Sequence, residues 1–227
     1  HLSTFNYLTQ MKKTLFVCII AIASIFFTCS VNTLFAQEIV TKISNGEIEE
    51  VKALLAKGVN PNTKIHNETI LAISINGKFP EITTLLINAK GIKLNEWNIL
   101  TQPKRSWKYT ALMKAVKFSD VVKQLIDKNV LIDLQDDWIL WDGKLHESGG
   151  NTALMLAVGA PNFTYTESAK LLIDKGAKIN IQNKLGYTAL MLGVHNTEIS
   201  KILIDKGATL DTRTKHGETA LMLAAGK

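Results

Sequence analysis

After residue 29 the chain has no cysteine. Cys18 and Cys29 both lie near the N-terminus, so the rest of the sequence can form no disulfide, thiol nucleophile or cysteine-ligated metal site. A strong excess of one charge is also missing. The formal net charge is +6, and Lys12 and Lys13 supply two of those charges. What remains is a mild basic balance with no nucleic-acid footprint. The apolar run from Leu15 to Phe27 is shorter than the ~20 residues a spanning helix needs. Catalytic patterns are absent as well. His66, His146, His195 and His216 are scattered, none with a nucleophile or ligand partner at a diagnostic spacing, and no glycine loop could cradle a phosphate. Asp136-Asp137 lacks the spaced ligand ladder of a calcium loop. No catalytic residue, cofactor or metal is assigned, and the chain is not expected to be an enzyme.

The N-terminal segment has three parts. Residues 1–10 read as an upstream extension, with Met11-Lys12-Lys13 as the natural start. The apolar run follows, then a polar stretch ending at Ala36, before Gln37-Glu38. A basic region, an apolar region and a small residue at the cut are the features of a secretory signal peptide, here residues 11–36. Leu34 is large for the position three before the cut, while Phe26 and Thr28 do not suit a lipidated Cys29. The expectation is an exported protein, periplasmic or secreted, with no membrane span once the leader is removed. A membrane anchor formed by an uncleaved leader is the alternative. The short Met-Lys-Lys start is similar to bacterial leaders.

The remainder, residues 37–227, repeats itself. Thr-Ala-Leu-Met occurs at Thr110–Met113, Thr152–Met155, Thr188–Met191 and Thr219–Met222, in steps of 42, 36 and 31 residues. Leu-Ile-Asp-Lys-Asn/Gly trails the first three copies, at Leu125–Asn129, Leu172–Gly176 and Leu203–Gly207. A period of this size marks a solenoid of stacked units. Each threonine suits a helix N-cap, its hydroxyl able to accept an orphan N–H two or three residues on. The first helix is short and small-sided, with Ala111, Ala153, Ala189 and Ala220 at its start. The second carries an apolar stripe, such as Val122, Leu125 and Ile126. It stops at Gly176, Gly207 or Asn129, the residue types that tolerate a left-handed stop.

Turn, Gly-x-Thr-Ala-Leu and then Leu-Ile-Asp-Lys-Gly-Ala resembles the ankyrin repeat, best at Gly186–Ala189 and Gly217–Ala220. A more divergent copy runs from Thr69-Ile70-Leu71-Ala72 to Gly91, and a partial one from Asn45-Gly46 to Gly58. The resemblance covers about Gln37 to the end, some five full or partial repeats and a last one holding only its first helix. It implies an all-α repeat solenoid of helix-turn-helix units with β-hairpin fingers, and a non-enzymatic protein-binding module. The expected partner is another protein bound on the concave face, with the chain itself a monomer. Two alternatives are an inhibitor or immunity-type partner of a co-exported enzyme, and the adaptor part of a longer enzyme. Where the family often has histidine after the leucine, this chain has Met113, Met155, Met191 and Met222, read as packing residues.

Two connections are long. From helix stop to next cap threonine the ordinary length is 12 residues, yet Gly91 to Thr110 is 19 and Asn129 to Thr152 is 23. Trp97 and Trp107 lie in the first insertion, Trp138 and Trp141 in the second, and these are all four tryptophans. Gln102-Pro103 and Asp142-Gly143 are the expected turns, with two-residue alternation around them. Both insertions read as elongated β-hairpin fingers. The first bears Lys93, Lys104, Arg105 and Lys108; the second bears Asp133, Asp136, Asp137, Asp142 and Glu147. Opposite signs should draw the fingers together. The candidate protein-binding residues are Trp97, Trp107, Tyr109, Trp138 and Trp141, because such aromatics dominate binding hot spots. Bracing of the hairpins is the competing role for them, and the inner-helix face around Lys114, Lys117 and His195 is the other candidate surface. Mass spectrometry of exported material should find a new N-terminus at or near Gln37; a mature chain that keeps Leu15–Phe27 would favour the anchor.

Overall fold

The computed structural model describes residues 34–76, 78–101, 105–140, 149–159 and 165–226. Helical residues 34–45 (α1) come first, followed by α2 (Ile48–Ala56). The next unit has a small hairpin, β1 (Lys64–Ile65) and β2 (Glu68–Thr69), then α3 (Ile70–Ser74) and α4 (Pro80–Ile87). Strands β3 (Asn98–Thr101) and β4 (Arg105–Tyr109) lead into α5 (Ala111–Ala115) and α6 (Ser119–Asp127). Strand β5 (Asp137–Leu140) precedes α7 (Ala153–Val158) and α8 (Thr166–Asp174). The series ends with α9 (Ala189–Leu192), α10 (Thr197–Asp205) and α11 (Ala220–Ala225). The short helices α3, α5, α7, α9 and α11 pack in sequence order as an inner row, and α2, α4, α6, α8 and α10 as an outer row. Residues 34–36, assigned by sequence to the leader, belong to α1, whose Ile39 and Ile43 are buried in the core.

Local chemistry explains the starts of the inner helices and the stops of the outer ones. The hydroxyls of Thr69, Thr110, Thr152, Thr188 and Thr219 accept the backbone N–H three residues on, at 3.1, 3.4, 3.3, 3.4 and 3.4 Å. Such a cap contributes about 1 kcal/mol. The sulfurs of Met113 and Met191 accept from the N–H of Thr110 and Thr188 at 3.4 and 3.5 Å. The thioether therefore adds a weak acceptor to its packing role. Helices α2, α6, α8 and α10 each end two residues before one with positive φ, Gly58, Asn129 (φ 56), Gly176 and Gly207, the left-handed position that glycine and asparagine tolerate. Helix α4 ends at Ile87, and the corresponding left-handed residue, Gly91, comes four residues later.

Side chains clamp each unit to the next. Four residues after each stop stands Asn62, Asn95, Asp133 or Asn180. Their Oδ1 atoms accept the backbone N–H of Lys93, Leu131, Lys178 and Thr209, each two residues past the following stop, at 2.6, 2.8, 2.9 and 2.8 Å. A second ladder runs beside it: Gln135 Nε2 donates to Gly150 O and Gln182 O, and Gln182 Nε2 to Gly186 O and Arg213 O. The turns themselves nearly touch. A Cβ at Gly186 would lie 2.9 Å from Thr214 Cα, so the glycine is required both by the approach and by its φ of 83°.

The two long insertions do not stand as separate fingers. β3 pairs antiparallel with β4, and β4 pairs antiparallel with β5, in one three-stranded sheet. The reason is physical: side-by-side insertions expose backbone edges, and pairing β4 with β5 satisfies them. The expected turns at Gln102-Pro103 and Asp142-Gly143 lie outside the described residues.

Burial is uneven along the stack. Leu172 is fully enclosed, whereas Leu221 of α11 is 78% exposed. Leu172→Ala should lower stability by about 2–5 kcal/mol, and Leu221→Ala by no more than about 0.5. Hydrogen exchange should show residues after about Thr219 opening well before α7 and α8; equal protection throughout would contradict this.

Candidate protein-binding face

The sheet gathers part of the aromatic set. Pairing sets Leu100 opposite Trp107 and Trp107 opposite Trp138, so these three share a face. Trp107 is the centre. It stacks on Tyr109 with centroids 4.3 Å apart and rings 22° from parallel, and on Trp138 at 5.8 Å and 16°. Both arrangements suit the offset geometry of aromatic pairs. Its indole N–H donates to Asp136 Oδ2 at 2.8 Å.

Trp97 points elsewhere. Lys108 follows Trp107 in β4 and so faces the opposite side; its ammonium sits 4.7 Å from the centre of the Trp97 ring. The single aromatic patch expected from the insertions is therefore divided between the two faces of the sheet. Trp141 lies outside the described residues. Tyr109 needs a correction, because it is fully buried and cannot itself touch a partner. Its hydroxyl donates to Glu68 and accepts from Lys114 Nζ at 3.3 Å, while Lys114 pairs with Glu68 at 2.9 Å. Tyr109 supports Trp107 from behind.

Between sheet and inner helices runs a groove of about 490 Å³. Leu100 and Trp107 form one wall; Met113, Lys114, Lys117 and Met155 are among the residues of the other. Sequence placed the aromatics and the lysines on rival surfaces, and the structure brings Trp107, Lys114 and Lys117 to one. His195, the third member of that inner-helix candidate, is exposed and does not line the groove. Leu100 and Asp136 went unnoticed in that role. The alternation that pairs Leu100 with Trp107 was visible, but nothing local signals that a distant indole will meet Asp136.

Charge acts differently from the expectation. Asp137 forms an ion pair with Lys184 of the next unit rather than with Lys108 opposite it. Asp133 belongs to the inter-repeat ladder. Asp136 is 2% exposed, and burial pushes its carboxyl above the usual range despite bonds from Trp107 and Asn151 that pull it down. Backbone pairing and one buried carboxylate thus hold the described parts of the fingers together. Lys104, Trp141, Asp142 and Glu147 are outside the described residues.

Comparison with known proteins agrees with this geometry. The family description "Ankyrin repeats (3 copies)" matches residues 95–183 and 154–227, more than half of the chain. The chain belongs to the ankyrin-repeat family. Members of this family are generally non-enzymatic and mediate protein–protein interaction, and this chain is a protein-interaction module. No curated protein sequence gives a significant match. Among solved structures, the chain is similar to a chain in the complex of the predatory endopeptidase Bd0816 from Bdellovibrio bacteriovorus with the immunity protein Bd3460. The TM-score is 0.63 and the identity 26%, over 83% of this chain and 90% of that one. Among the described residues of the ankyrin chain, no group of three or more His, Cys, Asp or Glu could hold a metal ion, and no helix is long and apolar enough to cross a membrane.

Tyr109→Phe removes only the hydroxyl that links Glu68 and Lys114. It should cost about 1 kcal/mol of stability, read from thermal melts, with the Trp107 stack intact. An unchanged melting point would mean that the Lys114–Glu68 pair needs no third member.

Proposed function

We propose that the groove between the β3–β4–β5 sheet and the inner helices is where this ankyrin protein binds its partner, with Trp107 and Trp138 as anchors. The observation that carries this is a half-buried indole, fixed by two ring stacks and a hydrogen bond, on the wall of an apolar groove. A rigid aromatic at the edge of a concave surface loses little entropy on binding. Trp97, on the far side with Lys108, acts as a brace.

The partner we infer is a co-exported enzyme, a peptidase first of all, which the chain holds inactive in the manner of an immunity protein. Support comes from the likeness, over most of both chains, to a chain in a complex of an endopeptidase with its immunity protein. The leader-like pattern of residues 11–36 supports an encounter outside the cytoplasm, in the periplasm or beyond. The chain catalyses nothing itself and acts as a monomer.

The test is to capture partners with the full chain from the native host, identify any peptidase, and measure its activity with and without the chain. Suppression of peptidase activity with one-to-one stoichiometry is the expected result. Trp107→Ala and Trp138→Ala should each weaken binding by about 2 kcal/mol or more, roughly thirtyfold, without unfolding the stack. A captured partner whose affinity is unchanged in both variants, while their melting points fall, would reduce the sheet to scaffolding. Undiminished peptidase activity in the complex would overturn the inhibitor role.

A further inference from the structure

Asp136 occupies a place that recurs along the stack. Its N–H donates to Asn151 O at 2.8 Å, as that of Asn183 does to Tyr187 O and that of Thr214 to Glu218 O, both at 2.9 Å. Each side chain also takes the returning N–H. Asp136 Oδ1 accepts from Asn151 at 2.6 Å, Asn183 Oδ1 from Tyr187 at 2.9 Å and Thr214 Oγ1 from Glu218 at 3.2 Å. One neutral oxygen is therefore enough for the turn. Asp136 differs from the other two by its second oxygen, and that oxygen receives the Trp107 indole. A buried charge is costly to keep, and nothing in the turn requires one.

We propose that Asp136 is an acid-sensitive latch: ionised, it fixes the Trp107 ring on the groove wall, and on taking up a proton it lets the ring go. N–H groups converge on the carboxylate: two from Asn151 reach Oδ1, that of Trp107 reaches Oδ2, and the Gly150 backbone N–H also favours the ionised form. Donors suit a carboxylate, whereas a carboxylic acid carries an O–H of its own and keeps fewer and weaker acceptor sites for them. Oδ1 is the oxygen engaged by the turn, so a proton settles on Oδ2, and the bond it weakens is the indole's. The ring is then held mainly by its stacks.

The surroundings leave Asp136 to titrate as one group. On the strands, Lys108 lies over Trp97 and Asp137 is paired with Lys184. On α5, Lys114 is paired with Glu68; beyond it Lys117 lies over Phe118. Asp133, in the preceding loop, holds the Lys178 N–H. Burial, the largest influence on the Asp136 carboxyl, moves its titration upward from the ordinary carboxylate range. The folded-state value lies above the unfolded one, so the contribution to stability is full below the ordinary carboxylate range and is lost as pH rises through the raised value. Acid thus opens the latch without this group unfolding the stack.

The consequence for binding rests on the groove being the partner face; the latch itself does not, and it is tested without a partner. In the full chain, the indole N–H signal of Trp107, assigned by its loss in Trp107→Phe, should shift between pH 7 and 4 with a midpoint above the ~3.9 of a free aspartate. Asp136→Asn keeps an oxygen for the turn, as Asn183 shows, but turns an amide N–H₂ toward the indole. Its Trp107 signal should sit at the acid position already at pH 7, with the core signals retained. Trp107→Phe removes a donor that favours the ionised form, so the Asp136 carboxyl carbon should titrate at higher pH than in the parent chain. A Trp107 signal that does not move with pH, or that keeps its neutral position in Asp136→Asn, overturns the latch. So does an Asp136 midpoint unaffected by Trp107→Phe, which also serves if the asparagine variant fails to fold. A partner surface elsewhere on the stack would change none of these readouts.

Discussion

No single unit of this stack can bury its own apolar side, so everything depends on the bond that sets one unit against the next. That bond is made by Asn62, Asn95, Asp133 and Asn180, each reaching from the loop after one helix stop to a backbone N–H after the following stop. In each clamp the accepted N–H comes two residues after a left-handed residue. Gly91, Asn129, Gly176 and Gly207 supply it. With the register fixed, the inner helices meet through small residues, and Leu112, Leu154 and Leu190 fall into enclosed positions. Asp211 stands at the same place in the last turn and is exposed, as are Leu210 and Leu221 near it.

The same register governs the insertions. Two successive units each send a long loop from the same place, so the loops must run beside one another. Fixed side by side, their strands reach pairing distance and β4 joins β5. The pairing selects partners: Trp107 meets Trp138, and Lys108 comes opposite Asp137. Strand alternation then distributes the tryptophans, sending Trp107 and Trp138 to one face and leaving Trp97 with Lys108 on the other. A face carrying two stacked tryptophans follows from the stacking geometry of the units.

Much of the fold was legible in the sequence because its determinants are local and repeated. A threonine three residues before its bonded N–H, a glycine or asparagine at a helix stop and an apolar stripe at helical spacing are all written within a few positions. Repetition in register made each more certain. The site was legible only in part, because its determinants are distant. Trp107 and Asp136 are 29 residues apart, and Tyr109 and Glu68 are 41 apart. The composition of the fingers pointed to aromatic contacts and opposite charges. It could not show that Tyr109 would be enclosed, that Asp137 would turn to Lys184, or that two fingers would become one sheet. Those outcomes are decided by which edges the stack brings together.

Asp136 shows how a structural position and a functional one can share a residue. At the equivalent turn positions Asn183 and Thr214 do the work with neutral oxygens, which cost little to bury. A carboxylate at the same place must be desolvated, and the N–H groups around it compensate only in part, since its carboxyl is still raised above the ordinary value. The unfavourable choice occurs at the turn that receives an indole from the preceding insertion. An amide there would serve the turn and leave the indole unpaired. A carboxylate serves both, and so ties the orientation of the most central aromatic ring to the frame of the stack. Where the other turns of this kind use a neutral oxygen, the carboxylate of Asp136 joins the frame of the stack to the sheet of the insertions.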